Sequence, residues 1–399
     1  MSRLLIATDH CFLRHGGRVL DAYCFDRAFF DDYRAVFDQV EVLARVRPVE
    51  SLPRGASLSD GDGVTFLDVP PLGRIRWLLL AERLARPRLE SAIARADAVV
   101  VRVPSRLGAA AAAAALRHGK PYMIEVIGEP ASTLAATAGL VGRPFAWWEA
   151  RRLRATAQGA SVASYVTGML LPDLYPAPRA AAVDFISSIR LSRSEFRDAR
   201  SFPAAPRPLR IATVAALIPH KRQQDLLAAA AIAQSHGVAL ELHIAGGGPR
   251  RAALERLATH LRLDARFHGH VADRQRLLAV LDGCDLFVSP SASEGLPRSM
   301  IEAMARGLPA AGADAVGVRE LVRPQELLPV GNVRALAALL EQLAADPARL
   351  AAMSRHGVET AARYSTAVLS PKRARLYRTL LEASGNSVSI PSNARPRAA

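Results

Sequence analysis

A chain of 399 residues, half of them hydrophobic and 22% charged, is long enough for two folded domains and too apolar for a disordered chain. Its formal charge of +15 is almost all arginine, lysine occurring only at positions 120, 221 and 372. That excess, which a GC-rich genome can also produce, suits acidic ligands or an anionic surface; with 6% aromatic residues and no recognition motif, nucleic acid is not an expected partner.

Short apolar runs alternate with helical patterns from the start, as βαβ units and parallel sheets require. The opening MSRLLIATDH carries too short an apolar run for a secretion signal, and no stretch approaches the roughly 20 apolar residues of a membrane span, so a cytoplasmic chain is expected. Strands are predicted at Leu4–Ala7, Val40–Ala44, Ala98–Val103, Tyr122–Val126 and Ala160–Tyr165. Between the first two lies Gly16-Gly17, either a loop bringing backbone close to a ligand or a simple turn. Arg102 falls at the end of the third predicted strand, and Glu125 and Glu129 near the end of the fourth; no histidine follows either. Two stretches, 70–90 and 142–158, mix Trp, Leu and Arg. Such helices can lie on an anionic membrane or pack on a domain with a solvated arginine face. Cys11, Cys24 and Cys284 lack the spacing of a zinc or redox site, so reduced thiols are expected.

The prolines of SFPAAPRPLR, 201–210, interrupt regular structure, and the domain boundary is placed there, between 205 and 206. The second half then reads as strand 211–216, helix 221–236, strand 239–245, helix 250–262, strand 265–268, helix 273–282, strand 285–288, helix 297–306 and a strand at 309–311: a doubly wound domain of its own, running to 370. A last helix is expected around Pro371–Glu382, within a segment 371–385 that packs back on the first domain, followed by a disordered tail, 386–399.

The stretch SPSASEGLPRSMIEAMARGLPAAG, 289–312, carries the chemistry. Pro297 suits a helix start, and Gly307 with Pro309 suits its end. Glu294 then stands in the loop before the helix and Glu302 about one and a half turns inside it, on the order of 10 Å apart. Between them lies a helix N-terminus, whose free amides favour phosphate, with Gly295 allowing close approach. Sugar, diphosphate and ribose, in that order, match acid, amides and acid. Lys221 and Arg222 follow the first strand of this domain, where two cations can neutralise a diphosphate or simply decorate a surface turn. Gly246, Gly247 and Gly248 form a close-approach loop after the next strand.

Together, KR at 221–222, IAGGGP at 244–249, FHGHV at 267–271, CDLFVSPSASEGLPRSMIEAMARGLP at 284–309 and YS at 364–365 resemble retaining GT-B glycosyltransferases of the GT4 type over about 206–385. The resemblance implies an α/β GT-B fold, two Rossmann-like domains facing a central cleft. It implies transfer of a hexose-type sugar from a nucleoside-diphosphate sugar, UDP or GDP, to a glycan or lipid-linked glycan acceptor in polysaccharide biosynthesis. Glu302 would hold the ribose; Glu294, Gly295 and Leu296 the sugar and phosphate; Lys221 the diphosphate. Val271 would lie by the base, and Ser299, Gly246, Gly248 and Gly17 complete the donor side. Gly16, Arg102, Glu125 and Glu129 would face the acceptor. Glu294, Lys221 and Arg222 are the expected catalytic groups. Neither a cofactor nor a metal is implied, the nucleotide sugar being a substrate. Relatives commonly carry Gly-Arg where this chain has Ala215-Ala216, so a usual diphosphate arginine is missing, and Arg222 is the candidate replacement. A nucleotide-sugar epimerase on the same fold, or an inactive transferase-like binding protein, are the alternatives.

Overall fold

The computed structural model describes residues 1–53, 55–130, 143–204 and 207–385. The expected boundary at 205/206 and the tail 386–399 lie outside the described residues. In the first half, β1 (Arg3–His15), β2 (Arg18–Asp21), α1 (Arg27–Arg34), β3 (Gln39–Pro48), β4 (Ser57–Leu58), β5 (Val64–Val69), α2 (Arg74–Arg95), β6 (Ala98–Val103), α3 (Arg106–Arg117), β7 (Tyr122–Val126), α4 (Arg143–Gln158), β8 (Val162–Tyr165), α5 (Leu170–Leu174) and β9 (Ala182–Phe185) follow in order. The parallel ladder runs β5-β3-β1-β6-β7-β8-β9. Every residue of β6 and β7 is buried, as a parallel strand covered on both faces demands.

The sequence pattern missed β2, β4, β5 and β9. The first strand is longer than its apolar core because, after an irregularity between Ala7 and Cys11, it continues as one arm of a hairpin. Gly16 and Gly17 are the two residues of that hairpin turn, at φ 56° and 77°, where His15 pairs with Arg18. Two successive left-handed residues are what a tight hairpin requires and only glycine adopts easily. Both are exposed, a Cβ on either would meet open space, and Arg14 Nη1 donates to the Gly17 carbonyl at 3.1 Å, so the pair forms the simple turn that the sequence offered as one of its two readings.

The second half contains β10 (Leu209–Val214), α6 (Gln223–Ser235), β11 (Leu240–Ala245), α7 (Arg251–His260), β12 (Ala265–Gly269), α8 (Arg274–Asp282), β13 (Leu286–Ser289), α9 (Arg298–Ala305), β14 (Ala310–Ala313), β15 (Leu327–Leu328), α10 (Val333–Ala345), α11 (Pro347–Ala362) and α12 (Thr366–Glu382). Its sheet is parallel throughout, in the order β12-β11-β10-β13-β14-β15. The last helix starts five residues before Pro371, which lies inside it. A proline there removes a single intrahelical bond, which packing offsets. That packing is on the first domain: Leu376, Tyr377, Leu380 and Leu381 join a cluster with Phe30, Tyr33 and Val100, and the Tyr33 and Tyr377 rings stack at 4.5 Å.

In the first half, Asp21 is buried and accepts His10 Nε2 at 2.6 Å and the amides of Tyr23, Cys24 and Phe25. Burial alone would raise its pKa; the His10 contact and the Phe25 and Cys24 amides outweigh that and bring it to about 2. The folded value lies below the unfolded one, so this stabilisation is complete above the ordinary carboxylate pKa and is lost as pH falls from there to about 2. Asp21→Asn is therefore expected to lower stability at pH 6 by about 2 kcal/mol, at 1.36 kcal/mol per pKa unit. The gap to the parent should close at pH 2, read by denaturation midpoints.

Candidate active site

The first strand of each sheet lies beside a strand much later in the chain, so consecutive connections leave in opposite directions and open a crevice at the carboxyl ends. In the second sheet that point lies between β10 and β13. The loop after β10 carries Lys221, and the loop after β13 carries Glu294. Their side chains meet: Lys221 Nζ donates to Glu294 Oε1 at 2.6 Å, in partly buried surroundings. Beside them, burial and the neighbouring Lys221 ammonium lower the His220 pKa, and the His220 carbonyl accepts the Ala292 amide, tying the two loops together.

Arg222 diverges from Lys221. Its backbone is left-handed at φ 53°, and its Nε donates to Asp225 Oδ2 at 2.5 Å. Gly331 packs against the same guanidinium. The side chain thus lies at the start of α6 on Asp225, while Lys221 turns to Glu294. The Ala216 carbonyl is taken by Gln223 Nε2 at 3.1 Å.

Helix α9 begins after Pro297, which occupies its N-cap, and Glu302 is its fifth residue. Glu302 pairs with Arg274 of α8 at 2.8 Å, and Arg274 also donates to Glu195 at 2.7 Å. One guanidinium between two carboxylates orients the Glu302 side chain. No motif pointed to Arg274. Ser299 donates its hydroxyl to the Val214 carbonyl at 2.7 Å, so it pins α9 to the end of β10.

The glycines serve backbone packing. A Cβ on Gly246 would strike the Ala215 carbonyl, and one on Gly248 would come within 2.5 Å of the Leu217 carbonyl; their φ values are 148° and 152°. The glycine loop therefore lies on the loop leading to Lys221. Gly295 is held from both sides: a Cβ there would strike the Ile127 carbonyl of the first domain, and the Gly317 backbone closes on its other face. Leu296 packs against the adjoining apolar cluster. Val271 follows β12 at its carboxyl end, with His270 against Gly247.

On the facing domain, Arg102 and Glu125 are register partners on β6 and β7, and their side chains form a buried ion pair, with Tyr33 donating to Glu125 at 2.7 Å. Glu129 accepts the Tyr175 hydroxyl at 2.9 Å. Cys24, its thiol pKa pushed up by burial, meets the Arg298 guanidinium at the start of α9. The loop that Asp21 organises thus borders α9, a contact between residues 274 positions apart that no sequence spacing signals.

Residues 195–360 match the family of glycosyl transferases group 1. Over those residues the chain is similar to the group 1 glycosyltransferases. Among curated proteins the chain is similar to Protein CapJ of Staphylococcus aureus, 24% identical over 80% of each chain. It is 31% identical to the putative glycosyltransferase EpsD of Bacillus subtilis over 41% of this chain and 43% of that one. The amylovoran biosynthesis glycosyltransferase AmsK of Erwinia amylovora is 32% identical over 39% and 42%. The chain thus aligns with less than half the length of EpsD and AmsK. Among solved structures, sucrose-phosphate synthase from Thermosynechococcus elongatus superposes with a TM-score of 0.69 at 17% identity, over 96% of this chain and 100% of that one. Anabaena Alr3699/HepE in complex with UDP does so with 0.65 at 17%, over 94% and 99%. These likenesses show the fold of the chain to be GT-B, as the resemblance implied.

Proposed function

We propose that the chain transfers a hexose-type sugar, with retention, from a nucleoside-diphosphate sugar to a glycan or lipid-linked glycan acceptor in polysaccharide biosynthesis. The observation that carries this reading is the Lys221–Glu294 pair at the crevice, beside the N-terminus of α9 and with Glu302 one turn further on. The diphosphate takes the Lys221 ammonium and the first-turn amides of α9, the ribose takes Glu302, and Glu294 orients the sugar. The names of EpsD and AmsK agree with this chemistry. The acceptor hydroxyl attacks the anomeric carbon on the leaving-group side as the bond to the phosphate oxygen breaks, and that oxygen takes the proton. Lys221 stabilises the departing charge, so neither a protein nucleophile nor a metal is required in this reading. Activity is therefore expected to survive chelation by EDTA, and NMR of the product to show the donor's anomeric configuration.

Glu302→Ala is expected to weaken binding of UDP or GDP about ten- to a hundredfold, as loss of charge-assisted hydrogen bonds does. Glu294→Ala is expected mainly to slow transfer. Titration calorimetry and initial rates separate the two; parental behaviour of both variants would remove the assignment.

An anionic membrane surface fits the same reading. Leu79 of α2 is 76% exposed and Trp147 of α4 is 65% exposed, with Leu80, Leu84 and Trp148 partly so. An ion pair between Glu82 and Arg152 brings the two helices together. Trp77, by contrast, is buried and donates to Asp9 at 3.0 Å, so it takes no part in that face. None of the described helices is long and apolar enough to cross a membrane.

A further inference from the structure

A small pocket of about 30 Å³ opens at the carboxyl ends of β6 to β9, between α1 and α12. Ile127 lines it, and the carbonyl of that residue abuts Gly295, so the pocket and the donor loop are one residue apart. Its wall is ionic. Arg102 and Arg373 are only 7% and 5% exposed, and a third guanidinium, Arg190, sits at the rim.

The compensating charge is incomplete. Glu125 is committed to Arg102 and Tyr33. Asp32 alone serves two arginines, Arg190 at 2.8 Å and Arg373 at 3.4 Å. Burial keeps the Tyr33 and Tyr377 phenols protonated, so they add no negative charge. Among the described residues Arg102 Nε has no hydrogen-bond partner, and Arg373 Nη1 has only its long 3.4 Å ion pair with Asp32, without hydrogen-bond geometry. Buried donors of a cation are costly to leave unmade, and orphans of this kind mark a place for an oxygen acceptor. A neutral sugar hydroxyl could meet a donor but not the excess charge. A phosphoryl or carboxylate group meets both, in the planar geometry that guanidinium prefers.

We propose that this pocket binds an anionic group, phosphoryl or carboxylate, borne by the acceptor, and so selects acidic acceptors. The inference rests on the transferase reading only in naming the acceptor as the bearer. The full chain is titrated with phenyl phosphate, methyl β-glucuronide and, as neutral control, methyl β-glucoside. The first two distinguish a phosphate ester from an acidic sugar. At least one anion should bind the parent chain and Lys221→Met alike, which separates this pocket from the donor phosphates. Arg190→Gln, at the partly exposed rim, should weaken it about tenfold at unchanged melting temperature, as loss of one charge-assisted contact does, and Arg373→Lys likewise. The proposal is overturned if neither anion binds, if the glucoside binds as well as the anions, or if binding survives Arg190→Gln. Retained UDP or GDP affinity in that case would leave the donor assignment standing, whereas loss of nucleotide binding in the parent chain would sink that assignment alone.

Discussion

Lys221→Met is expected to reduce the rate of sugar transfer about 10²- to 10³-fold, the size of effect seen when one pre-placed group facing a developing oxyanion is removed. The direction follows from geometry. The ammonium lies 2.6 Å from Glu294, in a crevice that partly excludes water, so its charge is weakly screened. Without it, Glu294 would face the diphosphate unpaired, and nucleotide affinity should fall as well. The double variant Lys221→Met/Glu294→Gln removes that repulsion, so it should regain nucleotide affinity while remaining slow. Initial rates at saturating donor and nucleotide titrations read both quantities. A single variant within threefold of the parental rate would take Lys221 out of the chemistry.

Gly295→Ala is expected to lower transfer at least tenfold with little change in nucleotide affinity. The added methyl would overlap the Ile127 carbonyl and press on the Gly128 Cα at 3.2 Å, and neither backbone atom can rotate away. Relief requires the two domains to separate by a few tenths of an ångström or more, and misplacement of that order between reacting groups is costly to rate. Gly128→Ala is the control. Its Cβ would find the Gly295 Cα at 3.9 Å, ordinary contact, so near-parental rates are expected. Equal loss in both variants would show that the effect is general crowding and not the approach of the donor loop to the first domain.

Much of the second domain was legible because its strands are short apolar runs separated by helices with local stop signals. Gly307 at φ 73° ends α9 just where glycine followed by proline indicated. The first domain was read less fully. The hairpin strands β2 and β4 contribute few apolar residues, and β9 carries the half-exposed sequence AVDF, without the continuous burial that gives a central parallel strand its signature. Pro371 marked a helix start in the sequence and fell inside a helix because the apolar residues after it are anchored on the first domain.

The sequence by itself determined the alternation of strands and helices and the window 289–312 in which Glu294, a helix N-terminus and Glu302 occur in fixed order. These depend on local backbone chemistry: proline and glycine punctuation and helical rise. Only the tertiary structure decided which charges meet. Strand order places Lys221 beside Glu294 across 73 positions. The left-handed turn at Arg222 sends it to Asp225 instead, and Arg274 reaches Glu302 from a neighbouring helix. Gly295 was legible as a close-approach residue, but that the approach comes from the other domain was not. Side-chain partnership across a sheet or a cleft depends on which strands lie adjacent, a non-local property that spacing along the chain does not encode.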